Sequence, residues 1–317
     1  QVGVDLSLFN NRLRMTADYY RKKTTDLLNN VEMPRSSGYT TALRNIGSIR
    51  NSGFELQLDG RIIDRAVKWD LGVNFSLNRS KVLVLSEDKD IFGGELDNTI
   101  LKDQLNLMRV GEPMYVFYGY VEDGYDENGH IVYKNMDDDP AITAADKTII
   151  GDPNPDFLVN LTTAVSYKGF TLSAFFQSSI GNDIYSLSMA AQAYDYGYNG
   201  NTLREVYYNH WTPENPTAKY PNLDQTSYKM SDRFVYDGSF VRLKNLELAY
   251  DVPCARSKFI KRARVYVSAQ NLFTITSYPF WDPDINANGG GSSMIQGVDS
   301  YCYPSARTYT IGCRLTF

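Results

Sequence analysis

The chain has 317 residues, 37 acidic and 32 basic side chains for a net charge of −5, and 24 tyrosines among an aromatic content of 13%. That balance excludes nucleic acid as the main partner, because phosphate binding needs a concentrated positive surface. No apolar run reaches the roughly 20 residues of a membrane helix, but the negative mean hydropathy does not exclude membrane strands, which are apolar on one face alone.

Alternation at period two dominates from the first residues. Val2, Val4, Leu6 and Leu8 share one side, and Asn10-Asn11 then turns the chain. Leu13, Met15, Ala17 and Tyr19 continue the pattern, followed by Phe54, Leu56 and Leu58 and by Trp69, Leu71, Val73, Phe75 and Leu77. Val159, Leu161, Thr163 and Val165 form the next face, and a Lys168-Gly169 turn leads to Phe170, Leu172, Ala174 and Phe176. Further strands are expected from Phe240 to Asp251 and from Ala263 to Thr274. The last alternates through Tyr309, Ile311, Cys313, Leu315 and Phe317, ending on an aromatic residue as bacterial barrel strands recognised for assembly do.

Connection lengths add a second signal. Tight turns at Asn10-Asn11, Asp64-Arg65 and Lys168-Gly169 alternate with long excursions at about 79–156, 179–238 and 275–306. Loops this long count against a compact soluble sandwich, whereas short turns on one side and long loops on the other are expected of an outer-membrane barrel. The predicted fold class is all-β: a transmembrane antiparallel β-barrel. Roughly nine strands are counted. An odd number does not close a single-chain bacterial barrel, and an open edge in lipid leaves backbone groups unpaired. The chain is therefore expected to be the C-terminal portion of a larger barrel, with 1–317 as one barrel segment.

Cys254, Cys302 and Cys313 show neither zinc spacing nor a disulfide framework. His130 and His210 adjoin no recognisable nucleophile pattern, and Gly289-Gly290-Gly291 lacks the following Lys-Ser/Thr of a phosphate-binding loop. No enzyme is indicated. The densest basic run, Arg256, Lys258, Lys261, Arg262 and Arg264, reads as a solvated turn.

Two stretches could bind ligands. The stretch 135–146 places oxygen side chains of Asn135, Asp137, Asp139, Thr143 and Asp146 at calcium-loop spacing. Asn at the first position, Asp at the last and Pro140 in place of the turn glycine depart from that pattern, and the alternative is a solvated acidic loop. The excursion 179–238 is rich in tyrosine. Tyr194, Tyr196 and Tyr198 are candidate substrate-binding residues, because flat aromatic faces suit sugar rings; packing of the loops is the other reading.

Several segments together resemble the SusC/RagA-like TonB-dependent transporters. They include Ala17-Asp18-Tyr19-Tyr20-Arg21-Lys22-Lys23-Thr24-Thr25-Asp26-Leu27-Leu28 and Asn45-Ile46-Gly47-Ser48-Ile49-Arg50-Asn51-Ser52-Gly53-Phe54-Glu55. Ile149-Ile150-Gly151-Asp152-Pro153-Asn154-Pro155-Asp156-Phe157 is the most specific, and Val241-Arg242-Leu243-Lys244-Asn245-Leu246, Ala269-Gln270-Asn271-Leu272-Phe273 and Tyr303-Pro304-Ser305-Ala306-Arg307-Thr308-Tyr309 complete the set. The resemblance implies a barrel of about 22 strands with a plugged lumen, of which this chain would supply roughly strands 14 to 22. It implies a plug and TonB segment outside this chain, and a SusD-like surface lipoprotein as lid. It also implies a bacterial outer-membrane location among lipid and import of oligosaccharides or similar nutrients, with peptides as another cargo. A passive porin or barrel-anchored adhesin is the alternative. Trp211 is a further candidate ligand contact, although Trp211-Thr212-Pro213-Glu214-Asn215-Pro216 also resembles family framework, which favours packing.

Overall fold

The computed structural model describes residues 1–32, 41–85, 89–97, 101–194, 201–254, 259–285 and 295–317. Nine strands, β1 (Val2–Leu8), β2 (Leu13–Glu32), β3 (Thr41–Asp64), β4 (Val67–Val84), β5 (Phe157–Tyr167), β6 (Phe170–Ile180), β7 (Phe240–Val252), β8 (Arg262–Thr276) and β9 (Thr308–Thr316), form one sheet in sequence order. Every neighbouring pair is antiparallel. The sheet does not close: β1 pairs with β2 alone and β9 with β8 alone.

Register explains why the alternation is so regular. Val165, Leu172, Leu248, Val267 and Ile311 stand side by side across β5 to β9, and all five are exposed. A one-residue slip on any strand would move its apolar set to the other face. The opposite face carries an equally continuous polar row. Asp5, Thr16, Gln57, Asn74, Asn160, Gln177, Arg242 and Thr274 are successive partners from β1 to β8. Aromatic rings mark both ends of the apolar band: Tyr19, Phe54, Phe75 and Phe157 toward the long loops, and Trp69, Tyr167, Phe170 and Tyr250 toward the short turns. Phe170 and Tyr250 lie 4.5 Å apart between ring centroids. Such girdles suit membrane interfaces, where one end of the ring is apolar and the other wet.

The short connections share one end of the sheet. Lys168 and Gly169 both have positive φ, 46° and 86°, as a two-residue hairpin turn that follows strand twist requires. The long connections gather at the other end. β4 runs on to Val84 before the first long loop (85–156); the second spans 181–239 and the third 277–307. β2, β3 and β4, at 20, 24 and 18 residues, greatly exceed the roughly 9–11 residues needed to cross a membrane.

The dry core of the molecule lies in these loops, not between sheet faces. Leu105, Phe117, Ile131, Tyr185, Ala190, Val206, Phe234 and Val298 are buried together, drawn from all three. Sequence periodicity gave no hint of this interior, which includes helix α1 (Leu187–Tyr194) and several short strand pairs. One of them, Tyr185 beside Val298, joins the second and third loops in parallel.

Candidate ligand-facing site of the sheet and its loop cap

The three loops fold as one cap over the loop end of the polar face. Arg242 of β7 is almost fully buried and pairs with Asp282 of the third loop. Its guanidinium also donates to Thr274 Oγ1 at 2.9 Å and to Ser305 Oγ at 3.2 Å. Asp282 accepts from the backbone N–H groups of Asp284 and Ser305, both at 2.9 Å. Burial alone would raise the Asp282 carboxyl, but these N–H groups and the guanidinium outweigh it and hold it below its ordinary range. A second, partly buried pair joins the first and second loops: Arg233 Nε donates to Glu122 Oε2 at 2.7 Å, and Ser231 Oγ donates to the other carboxylate oxygen at 2.6 Å. The second and third loops meet again where Tyr278 Oη, bound to Asp299 Oδ2 at 2.6 Å within the third loop, lies 2.9 Å from Ser186 Oγ of the second.

Beneath the third loop, a cavity of about 240 Å³ opens on the polar face. Asn160 of β5, Gln177 of β6, Asn182 and Asp284 give it a wall of amides and one carboxylate, with Phe240 as an apolar patch. Arg242 Nη1 lies 3.4 Å from Asp284, so the nearest cation is already compensated by two carboxylates. Such a surface offers donors and acceptors to a neutral polar ligand. These residues were not singled out from sequence, because strands alternate polar side chains everywhere, register alone brings Asn160 beside Gln177, and Asp284 arrives only through the fold of the third loop.

The aromatic candidates separate. Tyr194 is buried, stacked on Tyr228 with centroids 3.7 Å apart and edge-on to Phe234 at 5.1 Å. Desolvation pushes its hydroxyl well above the ordinary tyrosine range. Tyr196 and Tyr198 lie outside the described residues, as do Arg256, Lys258 and Gly289-Gly290-Gly291. Trp211 is half-buried, its backbone N–H bound to Tyr220 O at 2.8 Å and its indole resting on Gly129. Among the described residues of this loop, Tyr207 and Tyr208 are the exposed tyrosines.

The acidic loop is stapled to itself. Asp146 is buried, with its two carboxylate oxygens accepting from the N–H groups of Met136 and Thr143, both at 2.7 Å. These bonds hold its carboxyl below the usual range. Asn135, Asp137 and Asp139 each accept an N–H two residues on, and Thr143 caps the short turn at Ala145. Among the described residues no three His, Cys, Asp or Glu side chains gather as a metal cluster. The loop as folded is a turn held by its own backbone.

Comparison with known proteins agrees with this architecture. A model of the TonB dependent receptor-like β-barrel matches residues 1–272. TonB-dependent receptor P3 of Formosa agariphila is 33% identical over all of this chain, which spans 33% of that protein. TonB-dependent receptor SusC of Bacteroides thetaiotaomicron is 29% identical over 99% of the chain, spanning 31% of that protein. The solved RagAB peptide transporter superposes with a TM-score of 0.81 at 28% identity, covering 99% of this chain and 34% of that one. The chain thus spans about a third of the length of these relatives. An unclosed nine-stranded arc with polar and apolar faces in register is what such a third should be, and the chain belongs to the TonB-dependent receptor β-barrel family, whose SusC- and RagA-type members are non-enzymatic.

Proposed function

We propose that the protein to which this chain belongs imports a nutrient across the bacterial outer membrane, and that this chain supplies the closing, C-terminal wall of its barrel. The observation that carries the reading is the polar row from Asp5 to Thr274, capped at one end by three loops sharing a core. A wall that is wet on one side and apolar on the other suits a solute path through lipid. In this reading the cargo is an oligosaccharide or a similar neutral nutrient. It is held between the loop cap and a SusD-like surface lipoprotein, and TonB supplies the force that displaces a plug. Peptide is the competing cargo, supported by the likeness to a structure described as a peptide transporter.

The test is disruption of the full-length gene and complementation, followed by growth and uptake on defined glycans and peptides. Loss of growth on one ligand class that also depends on TonB supports the reading. Uptake that persists without TonB would make the protein a passive channel instead.

Calcium binding by Asn135, Asp137, Asp139, Thr143 and Asp146 is a separate proposal. Each Asp146 oxygen accepts one backbone N–H and keeps a second lone pair for a cation. Saturable stabilisation of the loop by calcium, absent after Asp137→Ala and Asp139→Ala, would support it.

A further inference from the structure

On the apolar side of the sheet, the row above the aromatic girdle is basic. Tyr19, Phe54 and Leu77 stand in register on β2, β3 and β4. Two residues farther toward the long loops, in the same pleat, stand Arg21, Ser52 and Arg79; two farther again stand Lys23, Arg50 and Lys81. Register is unbroken over this stretch, so all of these side chains leave the sheet on the face that carries Leu13, Met15 and Leu58. The alternate side chains confirm the assignment, since Ser80 and Val82 point the other way, into the cap. The two basic rows sit about 7 and 13 Å above the girdle.

Arg79 is held by Asp156, at 2.6 Å. Arg21, Lys23, Arg50 and Lys81 have no ion pair or side-chain hydrogen bond among the described residues. Arg50 has a cation directly opposite on each side, where backbones are only about 5 Å apart. Like charges in that position destabilise a sheet. An arrangement that is unfavourable alone becomes favourable when an anion lies across it. Lys and Arg side chains can also reach down toward the interface while their stems cover apolar surface.

We infer that Arg21, Lys23, Arg50 and Lys81 form an external seat for the phosphate groups of a phosphorylated lipid in the leaflet nearest the long loops. The inference rests on the outer-membrane reading for its orientation. The lipid is favoured over a free anion because the patch adjoins the lipid-facing girdle and lies on the opposite side of the wall from the solute path. Arginine grips phosphate through two parallel N–H bonds, and lysine adds a point charge.

The test uses the full-length protein purified in detergent, with diphosphorylated lipid A as probe and its dephosphorylated form as control. Native mass spectrometry counts bound lipid for the parent and for a Lys23→Gln, Arg50→Gln, Lys81→Gln variant. Heat-modifiable gel mobility checks that both barrels are folded. The expected loss is of the order of a hundredfold in retention, at about fivefold per cation removed. Equal retention by the variant, equal retention of the phosphate-free lipid, or full displacement by inorganic phosphate would overturn the inference. Membrane fractionation separates the two readings: a protein absent from the outer membrane sinks the transport proposal, whereas one present there without phosphate dependence sinks this inference alone.

Discussion

Arg242 and Asp282 form a buried ion pair that ties a strand of the wall to the third long loop. The pair fixes where the loop descends onto the polar face, because Asp282 also collects the backbone N–H groups of Asp284 and Ser305. Removing Asp282 leaves the buried Arg242 with only its longer contact to the part-exposed Asp284, which costs up to about 3–5 kcal/mol. Asp282→Ala is therefore expected to loosen residues 277–307 while leaving the barrel folded. Limited proteolysis should show new cleavage in this loop with unchanged heat-modifiable mobility. Arg242→Met combined with Asp282→Leu should cost less than the sum of the single changes.

Tyr194 gives a sharp separation of packing from ligand binding. Its ring is stacked on Tyr228 and edge-on to Phe234, and its hydroxyl is buried without a hydrogen-bond partner among the described residues. An unsatisfied buried hydroxyl costs about 1–3 kcal/mol. Tyr194→Phe should leave the cap as stable as before or more so, with uptake unchanged. Tyr194→Ala should cost about 3–5 kcal/mol locally, as loss of a buried ring does. Impaired uptake in the phenylalanine variant with an intact cap would instead assign the hydroxyl to ligand.

Gly129 sits at φ +79°, and a Cβ there would lie 2.2 Å from the indole of Trp211. Alanine faces both a disfavoured backbone conformation and a ring that must move. Gly129→Ala is expected to destabilise the junction of the first and second loops by about 1–3 kcal/mol. A blue-to-red change in Trp emission at unaltered barrel mobility would report it. Unchanged emission and thermal midpoint would mean that the indole has room to shift.

The strands were legible in the sequence because each has one wet and one apolar face, so period two marks a stretch of every strand from β1 to β9. The number of strands, and the turns at Asn10-Asn11 and Lys168-Gly169, follow from the same pattern. The lengths of β2 and β3 did not, because Thr24, Thr25 and Asp26 break the apolar alternation and the backbone ladder resumes only beyond a bulge there. The cap was illegible for a different reason. Its core is assembled from short pieces such as Phe117, Tyr185 and Val298, separated by many residues and carrying no common period. Tyrosine richness near 194 pointed to the right loop but could not distinguish a stacked interior ring from an exposed one. The basic rows were hidden too, since Lys23, Arg50 and Lys81 become neighbours only through register.

Carboxylates of the cap set its response to acid, and their signs differ. Asp126 and Asp237 are lowered by hydrogen bonds, the first by backbone N–H groups and the second by Ser239. Asp146 and Asp282 are lowered as well, as described above. A lowered group contributes stability that is complete above its unfolded value of about 3.9 and is lost as pH falls through the folded value. Asp183 runs the other way: burial raises its carboxyl, against the opposing N–H bond from Asp152, with nearby Asp152, Asp237 and Asp156 adding repulsion. Its contribution is favourable below the unfolded value and fades as pH rises through the raised one. The cap should therefore loosen below about pH 4, and Asp183→Asn should stabilise it at neutral pH but not in acid. Thermal unfolding followed by Trp fluorescence from pH 3 to 8, in the parent and the asparagine variant, measures both effects. A variant whose gain is the same at pH 3 and pH 7 would rule out the charge on Asp183 as the cause.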